Sequence, residues 1–203
     1  MRYIIATHNN DKRKELSRIL EPLGIEAVTD RELGLVLPEV DETGTTFAEN
    51  AYLKAASACQ FTGLPAIADD SGIAVDALSG GPGIYSARYG GPDATDKDRN
   101  RKLLGELDGL PAEQRGAHYV CAVCCVFPDG SEPVTAEGRL YGIIGTEERG
   151  ERGFGYDPLF IVAPGVPGAG KTVAELTEEE KDAISHRGNA LRVFREALQK
   201  RIG

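Results

Sequence analysis

The chain has 203 residues, 41% of them hydrophobic and 27% charged, a composition that excludes general disorder and suits one large domain or two lobes sharing a sheet. Its net charge of -9 argues against a general nucleic-acid binder, which would carry a basic face. That charge still admits a polyanionic small molecule, provided that positive groups are gathered locally or a divalent cation is recruited. No apolar run reaches the length of a membrane span. The apolar start of residues 1–7 turns polar too soon for a signal-peptide core, so a cytoplasmic location is expected.

In chain order, residues 2–7 read as a buried strand. A polar loop follows, then a helix over residues 12–23 with Leu16, Ile19, Leu20 and Leu23 on one face. Gly24 ends that helix, and residues 25–29 form a second strand. This β-loop-α-β opening signals an α/β protein. Residues 31–44 are acidic and irregular and include the pair Asp41-Glu42. Thr46 and Glu49 have capping-box spacing and open a helix running through Ala51, Leu53, Ala55 and Ala58 to about Phe61. Residues 65–69 read as a short strand ending in the acidic pair Asp69-Asp70. Gly80-Gly81-Pro82-Gly83 and Gly90-Gly91-Pro92 bracket a loop.

A further helix is expected over residues 95–107. Two long strands follow over 117–127 and 134–144, separated by the turn Pro128-Asp129-Gly130-Ser131. Cys121, Cys124 and Cys125 fall in the first of these. Their β-branched, apolar surroundings and the lack of a second ligand pair favour buried core thiols over zinc or redox chemistry. The last helix covers residues 187–202, with Leu191, Phe194, Leu198 and Ile202 at core-facing spacing. Strands that first alternate with helices and later form a hairpin predict a mixed sheet. No linker divides residues 1–203, which are expected to form one domain.

Several segments carry chemistry. Thr7-His8-Asn9-Asn10-Asp11-Lys12 lies between a strand and a helix N-terminus, a natural anion site with Lys12 adding charge; an ordinary capped loop competes. Asp69-Asp70-Ser71-Gly72 offers carboxylates suited to Mg²⁺ and to orienting or deprotonating water. Side chains alternate along a strand, so one aspartate would serve the site and the other would bind backbone nearby; a simple turn is the alternative. Asp41 or Glu42 could complete a metal site.

Gly165-Val166-Pro167-Gly168-Ala169-Gly170-Lys171-Thr172 matches the phosphate-binding P-loop pattern. Only 31 residues follow Thr172, largely helical and with no further strand, and Pro167 interrupts the amides that would cradle phosphate. The P-loop fold is therefore rejected, while Lys171 is kept as a phosphate contact. In Phe154-Gly155-Tyr156-Asp157-Pro158 the Phe154 ring can stack on a base and Asp157 can accept from its edge, with a packed turn as the alternative. Ser185-His186-Arg187 supplies donors at the start of the last helix.

Taken together and in order, these segments resemble the inosine/xanthosine triphosphate pyrophosphatase family over essentially the whole chain. The resemblance rests on Thr7-x-Asn9-x-x-Lys12, Thr46-Phe47-x-Glu49-Asn50-Ala51, Ala68-Asp69-Asp70-Ser71-Gly72 and Pro82-Gly83-Ile84-Tyr85-Ser86-Ala87-Arg88. Phe154-Gly155-Tyr156-Asp157-Pro158 and Ser185-His186-Arg187 complete it. It implies Mg²⁺-dependent hydrolysis of ITP, dITP and XTP to the monophosphate and pyrophosphate, which keeps these nucleotides out of DNA and RNA. It also implies a homodimer and an elongated, two-lobed α/β fold, a mixed central sheet flanked by helices with the active site in the cleft.

By motif, Thr7, His8, Asn9, Asn10, Asp11 and Lys12 would embrace the triphosphate, although many relatives carry a smaller residue than His8. Asp70 would be the catalytic carboxylate and a metal ligand, and Glu42 the second ligand. Ser71 and Lys171 would contact phosphates or sugar. Phe154, Gly155, Tyr156, Asp157, His186 and Arg187 would hold the base. One departure is the Gly/Pro-rich stretch 164–170, longer than the family's usual approach to its Lys-Thr. A P-loop ATPase and a non-catalytic nucleotide sensor are the rival readings.

Overall fold

The computed structural model describes residues 2–7 and 10–202, leaving the side chains of Asn10, Asp11, Lys14, Glu15 and Ile19 outside that description. Six strands form one sheet in the order β2-β1-β3-β4-β5-β6: β1 (Arg2–Ile5), β2 (Glu26–Val28), β3 (Ala66–Val75), β4 (Gly116–Val126), β5 (Val134–Ile144) and β6 (Phe160–Val162). β1 runs parallel to β2 and β3, whereas β5 and β6 are antiparallel, so the sheet is mixed as expected. Five α-helices accompany it among the described residues: α1 (Asn10–Leu20), α2 (Phe47–Thr62), α3 (Asp96–Glu106), α4 (Glu178–Ile184) and α5 (His186–Ile202). None is long and apolar enough to cross a membrane.

The chain divides into two compact units. One comprises Met1–Asp70, Cys121–Gly138 and Asn189–Gly203; the other comprises Ser71–Val120 and Arg139–Gly188. In the first, the period of two along β3 sorts side chains onto opposite faces. Ile67 packs with Leu16 and Leu20 of α1 and with Leu191, Phe194 and Leu198 of α5. Ala68 packs with Ala51 and Ala55 of α2. Small residues on both sides let α2 lie close to the strand. Its capping box forms as read: the Glu49 amide donates to the Thr46 hydroxyl at 3.1 Å, and the Glu49 carboxylate takes the Thr46 amide at 3.2 Å. β4 alternates likewise, Cys121, Val123 and Cys125 on one face and Ala122 and Cys124 on the other. All four cysteines are free and buried, which for Cys121, Cys124 and Cys125 is what the apolar run predicts.

The second unit has its own core, in which Ile73, Leu103, Tyr119, Ile144 and Phe160 pack together. Arg115 is 3% exposed there, and its guanidinium donates to the carbonyls of Leu107, Ile144 and Gly145 at 2.6–2.7 Å.

Two elements differ from the sequence reading. β3 does not stop at the acidic pair but continues to Val75. Gly72 permits this, because a Cβ there would lie 2.5 Å from the Gly83 carbonyl and the Ser86 hydroxyl. Asp69 and Asp70 are thus strand residues rather than turn residues. α4 is a separate helix, opened by a Thr177–Glu180 capping box and ended by the extended backbone of Ser185.

Candidate active site

Two groups of polar side chains are built by these elements, one in each unit. In the first unit, strand alternation gives the adjacent aspartates different neighbours. Asp69 lies on the Ile67 face and accepts an ion pair from Lys12 of α1 at 2.8 Å, with the Cys121 thiol at 3.9 Å. Asp70 lies on the Ala68 face, toward α2. Lys54 Nζ donates to Asp70 Oδ1 at 2.9 Å and to Glu42 Oε1 at 3.0 Å, and Asn50 Nδ2 lies 3.4 Å from Asp70 Oδ2. Asn50 and Lys54 are four residues apart, so they leave α2 on one side.

Burial pushes the Asp70 carboxyl above the usual carboxylate range; the Lys54 ammonium opposes that rise and the Glu42 carboxylate adds to it. Burial alone would lower Lys54, but Asp70 and Glu42 more than offset it and hold the ammonium above its ordinary value. The result is a carboxylate with a raised proton affinity beside two ammonium groups, since Lys12 also acts on Asp70.

The donor chemistry fits Mg²⁺. Carboxylate oxygens of Glu42 and Asp70 already converge on one cationic centre, the Lys54 ammonium. Mg²⁺ commonly takes one or two carboxylates and completes its shell with water and substrate phosphates. Among the described residues no third His, Cys, Asp or Glu joins the pair. Asp41, the alternative to Glu42, is exposed, and its carbonyl accepts from the Thr43 amide at 2.9 Å.

In the second unit, Asp157 is 3% exposed and is the hub. Its Oδ2 accepts from Lys181 Nζ at 2.7 Å and from the Phe154 amide at 3.1 Å, and its Oδ1 accepts from the Tyr119 hydroxyl at 3.1 Å. Gly153 is required beside it, because a Cβ there would lie 2.2 Å from Asp157 Oδ2. Lys181 also sits 4.5 Å from the centroid of the Phe154 ring, which is 42% exposed. The His186 ring stacks on Tyr119, with centroids 4.7 Å apart and planes at 13°. Burial drives the Tyr119 phenol well above its ordinary pKa and the Asp157 carboxylate adds to that, so this hydroxyl stays a donor. Arg187, buried at the start of α5, reaches Ser71 Oγ at 3.3 Å.

Of the residues singled out by sequence, Lys12, Glu42 and Asp70 thus come together in one group, and Ser71, Phe154, Asp157, His186 and Arg187 belong to the other unit. Asp157 is already occupied by three protein donors, so it anchors the loop rather than presenting free acceptors to a base edge. Tyr156 turns into the core, 5% exposed, and donates to the Ser86 carbonyl at 2.8 Å. Gly155 contributes backbone groups taken by α3. Thr7 follows β1. His8 and Asn9 lie outside the described residues, as do the side chains of Asn10 and Asp11.

Lys171 is not brought to either group: it is half exposed and lies 3.9 Å from Glu180. Its segment folds back on β6, the Gly170 amide donating to the Val162 carbonyl at 3.0 Å and the Lys171 amide to Gly168 at 3.0 Å. These amides are used internally, which removes the P-loop reading on structural grounds. Sequence reasoning missed Lys54, Lys181 and Tyr119. Lys54 is the one cation of an alanine-rich helix, and Lys181 would have been visible from the Thr177–Glu180 cap. Tyr119 is hidden in a strand that reads as plain core.

The sequence model of the Ham1 family matches residues 3–197. The dITP/XTP pyrophosphatase of Yersinia pseudotuberculosis is 49% identical over 197 residues, 97% of each chain. That of an Exiguobacterium species is 51% identical over 192 residues, 95% of this chain and 94% of the relative. The solved structure of a HAM1 protein from Coxiella burnetii superposes with a TM-score of 0.89 at 39% identity, covering 98% of this chain and 99% of that one.

Proposed function

The chain belongs to the Ham1 family, and we propose that it hydrolyses the non-standard purine nucleoside triphosphates ITP, dITP and XTP to the monophosphate and pyrophosphate. The observation that carries this reading is the buried Asp70 carboxylate, raised in proton affinity and flanked by Lys54, Glu42 and Asn50. Its relatives bear the same activity in their names.

In this reading, water adds to the α-phosphorus as the α–β bridging bond breaks and pyrophosphate leaves. Asp70 orients that water and takes its proton, a role suited by its raised affinity. Lys54 and Lys12 oppose the phosphate charge, which lets a protein of net charge -9 hold a polyanion. Glu42 and Asp70 would hold Mg²⁺. When bound, that ion supplies charge neutralisation on the phosphate oxygens.

On the base side, Phe154 offers a face for stacking, and His186, Arg187 and Lys181 are donors suited to a 6-oxo group. Adenine presents an amino group at that position and leaves a donor unpaired, a cost of about 1–3 kcal/mol. The chain would act in the cytoplasm and as a homodimer, the assembly its family resemblance implies; light scattering of the purified protein tests the latter.

One assay tests the whole reading. The protein is incubated with Mg²⁺ and, separately, ITP, XTP, dITP, GTP and ATP, and the products are identified. Pyrophosphate and the monophosphate from ITP, dITP and XTP are expected, with loss of turnover on chelation. Orthophosphate as first product, or ATP as best substrate, overturns it. Asp70→Asn should abolish turnover and keep measurable ITP binding.

A further inference from the structure

α3 begins at Asp96, and its first turn is pinned by a capping box: the Thr95 hydroxyl takes the Asp98 amide at 3.2 Å, and Asp98 takes the Thr95 amide at 3.0 Å. Asp96 and Asn100 stand four residues apart and so leave the helix on one face. Both point at a single residue of the Phe154–Asp157 loop. The Gly155 amide donates to Asp96 Oδ2 at 2.7 Å, and Asn100 Nδ2 donates to the Gly155 carbonyl at 3.2 Å. One helix face thereby captures both backbone groups of the residue that turns the loop through a φ of +60°.

The chemistry of the two side chains is specific to the task. Asn100 is 2% exposed, and its amide nitrogen also donates to Glu148 Oε1 at 2.9 Å. Two acceptors face that nitrogen, so the side chain must donate twice from one end. A carboxylate there would face another carboxylate and a carbonyl. Asp96 is the complementary acceptor. Burial alone would raise its carboxyl, but the Gly155 amide and Arg99 outweigh that and hold it below the usual range.

We propose that Asp96 and Asn100 are positioning residues for base selectivity: by clamping Gly155 they aim the neighbouring Phe154 ring and the Lys181 ammonium, held by Asp157, at the purine. The inference rests on the pyrophosphatase reading above and deepens it. Both bond to the Gly155 backbone, so their influence on Phe154, Asp157 and Lys181 runs through the loop backbone. Discrimination by hydrogen bonds to a ring depends on donors held to a fraction of an ångström. A loop free to reorient at Gly155 would still accept a purine but would tell a 6-oxo from a 6-amino group less well.

The test measures kcat and KM for ITP and ATP, together with Tm, in the wild type, Asp96→Ala, Asn100→Ala, Asp96→Asn and Arg115→Met. Asp96→Ala and Asn100→Ala are expected to raise the ITP KM about tenfold or more and to change kcat less than about threefold. They should also narrow the ITP:ATP ratio of kcat/KM by about tenfold. Asp96→Asn keeps an oxygen that can accept the Gly155 amide and should retain most of the selectivity. Arg115→Met weakens the same unit away from the loop and should lower Tm without narrowing the ratio. An unchanged ratio in both alanine variants, with Tm lowered as in Arg115→Met, overturns the inference alone. A wild type that does not prefer ITP to ATP overturns it together with the functional reading.

Discussion

Replacing Asp157 separates the charge of this side chain from its shape. In Asp157→Ala the Lys181 ammonium, the Phe154 amide and the Tyr119 hydroxyl all lose their acceptor, in a place where the Lys181 and Asp157 side chains are only 16% and 5% exposed. Breaking a buried ion pair from one side costs about 3–5 kcal/mol when the surviving ammonium is left with neither a counter-charge nor an acceptor. In a domain of this size each kcal/mol lowers Tm by about 2–4 °C, so a fall of about 10 °C is expected.

Asp157→Asn behaves differently. Its amide oxygen can take the Oδ2 position and keep both Lys181 and the Phe154 amide, while its NH₂ meets the Tyr119 oxygen, which can rotate to accept. Only the charge is lost, worth about 1–2 kcal/mol as the difference between a charge-assisted and a neutral bond, or a Tm loss of about 4 °C. Scanning calorimetry on the two variants checks the order, and steady-state ITP kinetics should show KM rising more in the alanine variant. Equal Tm losses, or a milder loss in Asp157→Ala, would refute the view that Asp157 is a buried three-donor hub.

The two lysines near the end of the chain should separate cleanly. Lys171→Ala should leave the ITP KM within about twofold, since an exposed pair at 3.9 Å contributes little, whereas Lys181→Ala should raise it about tenfold or more; the reverse order would return Lys171 to the site. Arg115→Met takes the guanidinium donor from three buried carbonyls, of which that of Leu107 keeps the Leu110 amide at 3.2 Å, and should cost about 3 kcal/mol, read as a Tm loss of about 9 °C, with Arg115→Lys recovering part of it because one ammonium cannot span all three. The cysteines should resist a thiol reagent at pH 8 in the native protein and react on unfolding. All four are buried, and burial pushes Cys124 up to about 12 and raises Cys59 and Cys125 as well; prompt labelling of the native chain would contradict this.

Much of the scaffold follows from local physics legible along the chain. The Thr46–Glu49 cap, the alanine face of α2, the apolar alternation of β4 and the 3–4 spacing of Leu191, Phe194 and Leu198 need only neighbours within a few residues, and the structure forms each of them. The acidic pair shows where that reading ends. Strand alternation separates Asp69 from Asp70, but nothing local tells which helix each will meet or that Gly72 lets the strand run on past them.

The partners of the functional groups were decided by tertiary structure alone. Lys54 reaches Asp70 across 16 residues and Glu42 across 12, Lys181 reaches Asp157 across 24, and α3 takes Gly155 from 55 and 59 residues away. Periodicity and capping record what a segment does to itself. Which charge meets which carboxylate depends on how segments pack once their apolar faces are buried, and that information is spread over residues that carry no motif.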